Sequence, residues 1–136
     1  MTKQEPAIFS STHNVRVPEL ESPSGVIFTL DYLTNTLPAV MAGDADLTPF
    51  NEALKPETEM LLATHTTANG VVLRHVFLPP GLSTPMHKTP TLDFAIVLEG
   101  EADMLLDGGQ GRRLKPHDTV VQRGTAHAFV NNSETE

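Results

Sequence analysis

Two histidines and an aspartate are the residues of this chain whose types and spacing best suit chemistry. His87, Thr89 and Asp93 stand an even number of positions apart, so they share a face if their segment is an unbroken strand. His127 comes from a distant segment, and antiparallel pairing can bring such positions together. Two imidazoles and a carboxylate on one wall suit Fe(II), Mn(II), Ni(II) or Zn(II), with positions left open for water or substrate. We therefore predict that His87, Asp93 and His127 are metal ligands and catalytic residues.

Five further side chains are candidates for lining a substrate cavity around that site. Arg74 is a charge on an otherwise apolar strand face, so it either binds a substrate carboxylate or phenolate or pairs with an acid of this chain. His75 faces either the cavity or the core. Met104 and Phe129 lie on strand patterns with suitable alternation, and core packing is the alternative for each. Thr89 is included because it shares the predicted face of His87.

Short strand patterns at close spacing must position these residues. Residues 71–77 and 94–98 are apolar on both faces, which predicts strands that lie between two layers. Residues 104–106 and 112–114, joined by a Gly-rich turn, predict a hairpin. This rhythm predicts an all-β barrel or sandwich. The turn signals are Asn69-Gly70, Pro79-Pro80-Gly81, Glu99-Gly100, Asp107-Gly108-Gly109 and Lys115-Pro116.

The N-terminal part of the chain predicts an arm, a strand pair and a short helix. Residues 1–14 are polar and predict a flexible arm, which leaves 15–136 as a single domain. Residues 15–17 and 25–33 predict two strands at the outer edge of a sheet. Residues 48–54 predict a helix with Thr48 as the cap and Pro49 in the first turn. That helix is either a lid over the cavity or a cover for apolar strands.

Composition narrows the class of partner. The net charge is -8, from 17 acidic and 9 basic residues, which disfavours nucleic acid and anionic membrane surfaces and leaves small molecules as the expected partners. The absence of cysteine excludes disulfides and thiol catalysis. We expect a cytoplasmic protein, because no secretory signal and no membrane-spanning apolar run is present in the sequence.

Two separated motifs, within residues 81–100 and 117–131, resemble the two signatures of the cupin superfamily. The matching positions are Gly81, His87, Asp93 and Gly100 in the first motif and Gly124, His127 and Asn131 in the second. The resemblance implies a cupin double-stranded β-helix, a jelly-roll barrel, with an N-terminal strand arm and a short helix. It also places His87 and His127 in the cavity, and we expect Asn131 and the glycines to shape turns.

Three positions depart from the cupin pattern. Thr89 replaces a second His and Asp93 replaces a Glu of cupins with a full metal set, while Gln122 stands where many members have Pro. Asp is one methylene shorter than Glu, so Asp93 is either a ligand, a general base or the group that orients an imidazole. Without a metal, the same groups form a polar acid–base cluster whose protonation burial would perturb.

The form of the first motif is similar to small single-domain cupins of natural-product pathways, in which these replacements recur. That resemblance implies a small-molecule tailoring enzyme of secondary metabolism, an oxidoreductase or a lyase. The reaction would be oxygenation, decarboxylation, dehydration or cyclisation of a polyketide-like or aromatic substrate. The alternatives are a non-catalytic ligand-binding cupin module and a structural barrel without a site. Because the chain stops soon after Asn131, we expect an open barrel edge and a homodimer.

Overall fold

The computed structural model describes residues 19–55 and 68–134. These residues form antiparallel strands, one α-helix and a short 3-10 turn at Ala42–Asp44, which confirms the predicted all-β fold with a short helix. The predicted arm and the predicted strand at 15–17 lie outside the described residues. The elements are β1 (Leu20–Glu21), β2 (Ile27–Thr34), α1 (Leu47–Ala53), β3 (Val71–Phe77), β4 (Leu92–Ile96), β5 (Ala102–Leu106), β6 (Gly111–Leu114), β7 (Thr119–Arg123) and β8 (His127–Val130).

The described strands form three antiparallel sheets, ordered β1-β2-β3, β4-β7 and β6-β5-β8. The predicted strand at 71–77 and the predicted hairpin of β5 and β6 are both confirmed. A further segment, residues 81–87, runs antiparallel beside β8 through isolated bridges at Ser83 and His87. This last pairing connects the two predicted site motifs, because it joins the first motif to the second through the backbone.

A cluster of buried apolar residues lies between β2 and α1. Leu30 and Leu33 of β2 pack against Phe50 and Ala53 of the helix, and all four side chains are buried. Tyr32 adds a ring contact with Phe50, at 5.8 Å between ring centroids. Of the two predictions for this helix, the structure therefore supports the cover for apolar strands.

Two predictions about the N-terminal elements are corrected. The helix begins after Asp46 rather than at a Thr48 cap, and the Asp46 side chain makes no capping hydrogen bond. Its carboxylate instead accepts a hydrogen bond from the Tyr32 hydroxyl, at 2.6 Å. β2 is not an edge strand, since it lies between β1 and β3, and the short β1 forms the edge. The chain reverses into β2 through Gly25, whose φ of 81° suits glycine.

β3 and β4 are covered differently from the sequence prediction. Asp93 and Ala95 of β4 are half-buried, but Phe94 is 70% exposed and Ile96 is 60% exposed. Leu73 of β3 is likewise more than half exposed. Apolar residues on both faces of a strand predict that both faces are covered in the functional protein. They do not show whether the cover comes from the same chain. No helix within residues 19–55 and 68–134 is long and apolar enough to cross a membrane.

Candidate functional site

The backbone places the two predicted site histidines directly opposite each other. The His87 N–H donates to the His127 carbonyl at 3.0 Å, and the His127 N–H donates to the His87 carbonyl at 2.9 Å. Directly opposed residues of an antiparallel pair point to the same face. The two imidazole centroids are consequently 4.4 Å apart. Imidazoles pointing to opposite faces would have supported the alternative of a structural barrel without a site, and the structure does not show that arrangement.

Both imidazoles are oriented in the same way by hydrogen bonds to nearby carbonyls. His87 Nδ1 donates to the Pro85 carbonyl at 2.9 Å, and His127 Nδ1 donates to the Thr125 carbonyl at 3.0 Å. A carbonyl oxygen can only accept, so each Nδ1 carries the hydrogen and each neutral ring has its lone pair at Nε2. Metal-binding histidines are commonly oriented by such a bond. The pair can therefore accept protons or bind a cation through two Nε2 atoms.

Gln122 supports the hydrogen bond that orients His127, and sequence reasoning missed this role. Its side chain is buried, and its Nε2 donates to the Thr125 carbonyl at 2.7 Å and also contacts the Thr125 hydroxyl. The same carbonyl accepts the hydrogen bond from His127. The signal was present in the sequence, because Gln122 departs from the cupin pattern where Pro is common. The Gln122 amide fixes the turn before His127 by a hydrogen bond, whereas a Pro would restrict the backbone through its ring.

Asp93 lies close to the histidine segment but has other partners. It is half-buried on β4, opposite Gln122 in the register of β4 and β7. Its carboxylate accepts a hydrogen bond from the Thr89 hydroxyl, at a long 3.4 Å, and Thr89 accepts one from Thr91 at 3.0 Å. Within residues 19–55 and 68–134, no group of three or more His, Cys, Asp or Glu side chains could hold a metal ion. Asp93 as a third ligand therefore stays a prediction.

Arg74 is electrostatically connected to Asp93. Burial lowers the pKa of Arg74, and the nearby Asp93 carboxylate opposes this shift. An arginine stays charged under such a shift because its ordinary pKa is very high. The nearness of Asp93 supports the sequence alternative in which Arg74 pairs with an acid of this chain. A positive charge beside Asp93 also remains suited to an anionic substrate group.

Met104 and Phe129 lie on the face that carries the imidazoles. Phe129 meets the His127 ring edge-on, at 5.6 Å between centroids. Met104 stands opposite Phe129 in the register of β5 and β8, so the two side chains share a face. Both residues are half-buried. They therefore form an apolar wall beside His127.

His75 requires a correction, because it neither lines the cavity nor packs in the core. Its side chain is 60% exposed, and its Nδ1 donates to the Asp31 carboxylate at 2.9 Å. His75 follows Arg74 on β3, so the two side chains point to opposite faces. On β2, Thr29 stands opposite His75, and Asp31 lies close enough to bind the His75 ring. This outward polar group, distant in sequence, draws His75 away from the site.

Asn131 ties a turn, as the sequence predicted. The side chain is 5% exposed, and its Nδ2 donates to the Leu78 carbonyl at 2.9 Å. Its Oδ1 accepts a hydrogen bond from the Ser133 N–H at 3.0 Å. Gly124, with a φ of 64°, bends the β7–β8 turn near Thr89, where a Cβ would approach the Thr89 carbonyl to 3.4 Å. These contacts shape the backbone around the imidazoles.

A surface cavity of about 270 Å³ lies elsewhere and includes none of the predicted site residues. Arg113 lines it, and its guanidinium donates to Asp103 at 2.6 Å and to Glu101 at 3.3 Å. Its charges are therefore paired within the chain. The lining residues are Glu101, Ala102, Asp103, Arg113, Asn132 and Ser133.

Comparisons with known proteins agree with the geometry. A sequence profile described as "Cupin domain" matches residues 74–136. The chain is 37% identical over 112 residues to Oryzines biosynthesis cluster protein J of Aspergillus oryzae, a match that covers 82% of this chain and 60% of that protein. It is 36% identical over 130 residues to Phomopsin biosynthesis cluster protein D of Diaporthe leptostromiformis, covering 92% and 66% respectively.

A third relative is the Cupin-domain-containing oxidoreductase fogC of Aspergillus ruber. It is 32% identical over 129 residues, which is 92% of this chain and 58% of that protein. The chain thus spans roughly three fifths to two thirds of the length of these relatives.

Proposed function

Because this chain belongs to the cupin superfamily, we propose that it acts as a small-molecule tailoring enzyme of secondary metabolism, an oxidoreductase or a lyase. One observation carries the proposal, the pair of imidazoles 4.4 Å apart with both Nδ1 atoms bound to carbonyls. Two relatives named as biosynthesis cluster proteins and one named as an oxidoreductase support the choice. These relatives extend beyond this chain, so the activity of the whole protein is part of the proposal.

The donor chemistry fits a divalent first-row metal ion. His87 and His127 would hold it through Nε2, since each Nδ1 is already engaged with a carbonyl. Imidazole suits iron, nickel and zinc, and a carboxylate at Asp93 would extend the choice towards manganese. When bound, such an ion supplies Lewis acidity, and iron or manganese also supplies redox chemistry.

Asp93 is the residue we assign to proton transfer. Its carboxylate accepts a hydrogen bond from Thr89, two positions beyond His87 in the chain. The Arg74 guanidinium is the nearby positive charge, and it would attract an enolate, phenolate or carboxylate of the substrate. Asp93 would then take a proton from the carbon or oxygen next to that anionic group. This step is common to dehydration and cyclisation, whereas decarboxylation would instead need a proton delivered to the carbon that has lost carbon dioxide.

An aromatic or polyketide-like substrate fits the wall beside the imidazoles. Phe129 presents its ring edge-on to His127, and Met104 stands opposite Phe129 on the same face. Aromatic rings pack well against such edges and against methionine sulfur. A planar substrate would thus lie against Phe129 and Met104 with its polar group towards His87.

A non-catalytic ligand-binding module is the second candidate function. It is favoured by the lack of a group of three metal-binding side chains within residues 19–55 and 68–134. In that case the apolar wall and Arg74 would hold a ligand without turnover. The two candidates differ in whether the bound small molecule is converted to a product.

Metal analysis of the full chain, purified without chelators, tests the proposal. We expect close to one first-row metal ion per chain, retained in a His75→Ala control and lost in His87→Ala. His75 is the matched control because it is a histidine engaged with Asp31 outside the site. No metal in the wild-type chain would contradict the metal-assisted reaction.

Turnover is then measured with a panel of phenolic and β-dicarbonyl compounds under air and under nitrogen. Oxygen uptake with product identifies an oxygenase, and product under nitrogen identifies a lyase or cyclase. Ligand binding without product in either atmosphere would support the binding module instead.

A further inference from the structure

The β4–β7 sheet has one exposed apolar face. Phe94 stands opposite Val121 in the register, with Leu92 and Ile96 on either side of Phe94. Their exposed fractions are 60% for Leu92, 70% for Phe94, 60% for Ile96 and 55% for Val121. Leu98, also 60% exposed, continues the same alternation beyond β4. We call these five residues the outer β4–β7 face.

The size of this face is the first argument for a partner. A large apolar side chain that is more than half exposed presents on the order of 100 Å² to water. The five side chains then present roughly 500 Å², towards the upper end of what a monomeric protein exposes as one patch. Two such faces together would bury about 1,000 Å², which is the lower limit for a specific protein interface.

We propose that the outer β4–β7 face is the interface of a homodimer, in which it packs against the same face of a second copy. A two-fold interface uses one patch twice, so it needs a patch that is complementary to itself. An apolar sheet face meets this condition, because two sheets pack face to face with interdigitating side chains.

The few charges on the outer β4–β7 face are also compatible with a second copy of this chain as the partner. Two copies that each carry a net charge of -8 repel at long range, so a stable contact must exclude acidic side chains. The paired positions of the face include one charged residue, Arg123 opposite Leu92, and Thr119 opposite Ile96 at the other end. If the strands of the two copies run in opposite directions, each Arg123 lies at the Thr119 end of its partner. This arrangement keeps the two guanidinium groups apart.

The interface would stand behind the candidate site without entering it. Asp93 and Gln122 oppose each other on the same two strands and alternate with Phe94 and Val121. They therefore point to the other side of the sheet. A second copy would cover the outside of the wall whose inside carries Asp93. The inference stands independently of the proposed reaction.

Light scattering of the full chain after size exclusion gives the first test. We expect a dimer at tens of micromolar and at least a roughly 100-fold rise in the dimer dissociation constant for Phe94→Ser, since the change acts twice across a two-fold axis. Met41→Ser is the matched control, because Met41 is 72% exposed but lies outside the face. Val121→Thr, with circular dichroism of each variant, keeps the test valid if Phe94→Ser unfolds.

Single spin labels give the second test, because the chain has no native cysteine. Val121→Cys labels near the centre of the face should lie within about 25 Å of each other, since packed sheets are roughly 10 Å apart. Arg123→Cys labels should lie farther apart than Val121→Cys labels, and Met41→Cys labels should show no short distance. A monomeric wild-type chain, a dimer unaffected by Phe94→Ser, or equal distances for the first two labels would overturn the proposal.

Discussion

His127 and His87 face each other across one backbone bridge, yet the surrounding structure holds them differently. His127 is 5% exposed, and the carbonyl that orients it is itself held by buried Gln122. His87 is exposed, and the neighbouring bond from Thr89 to Asp93 is long, at 3.4 Å. The comparison indicates that one half of the site is rigid before binding. The half around His87 has fewer contacts that fix its side chains, so it would adjust to the proposed metal ion or substrate.

The largest expected effects follow from substituting the two histidines, which should weaken metal binding in both cases but lower the stability of the fold in only one. His127→Ala and His87→Ala should each weaken binding of a divalent metal at least about 100-fold, because each removes one of two nitrogen donors. His127→Ala should also destabilise the fold by about 2 kcal/mol, since it empties a buried hydrogen-bonded position. His87→Ala should change stability by less than about 0.5 kcal/mol. Isothermal titration with zinc and urea unfolding measure the two quantities, and equal loss of stability in both variants would contradict the contrast.

A substitution at Asp93 tests chemistry in the adjustable half. Asp93→Asn should lower turnover about 100-fold if Asp93 transfers a proton, and it should leave the metal content unchanged. The conservative change Asp93→Glu should recover part of the activity, which a purely structural role does not predict. Single-turnover rates with bound metal measured in parallel provide the check. Loss of metal in Asp93→Asn would instead identify Asp93 as a ligand.

A substitution at Gln122 tests the rigid half. Gln122→Leu should lower metal affinity about 10-fold, because His127 loses the support of the carbonyl that orients it. Gln110→Leu, at an exposed position in the β5–β6 turn, is the matched control and should change neither metal affinity nor stability. Metal titrations of both variants decide the point. An unchanged affinity in Gln122→Leu would show that the turn holds His127 without it.

The smallest effect is expected at the surface cavity, away from both histidines. The hydrogen bond from Arg113 holds the pKa of Asp103 below its ordinary value, with a further contribution from Asn132. The stabilisation is therefore present above the ordinary Asp pKa of about 4 and is lost as the pH falls through the lower, folded-state pKa. Because the Arg113 partner is exposed to solvent, the effect on the melting temperature should be small. Melting curves of wild type and Asp103→Asn should converge at low pH, and curves that diverge there would contradict this sign.

The sequence was sufficient for features that depend on local patterns and motif spacing. An apolar run predicted β3, a Gly-rich turn between two short runs predicted the β5–β6 hairpin, and motif spacing selected the two histidines that the structure brings together. The sequence was insufficient where a side chain makes its contacts with a residue from a distant segment. His75 lies on the outward face, where β2 offers Asp31, and the Asp46 side chain accepts a hydrogen bond from Tyr32 instead of capping the helix.

Gln122 shows a second kind of limit. Its departure from the cupin pattern was visible, but its function depends on where the Thr125 carbonyl points after the turn at Gly124. That direction is set by the folded backbone. The same holds for Phe94, since strand alternation assigns it to a face without stating what covers that face.

We propose that His87 and His127 carry the hydrogen at Nδ1 and present Nε2 as a pair to a divalent metal ion. Long-range nitrogen–proton NMR correlation of uniformly labelled, metal-free protein near pH 8, followed by addition of zinc, tests it most directly. We predict the Nδ1–H form for both rings and a shift of both Nε2 signals at one equivalent of zinc, with His75 unchanged. A hydrogen on Nε2 in either ring, or Nε2 signals that zinc leaves in place, would contradict the account.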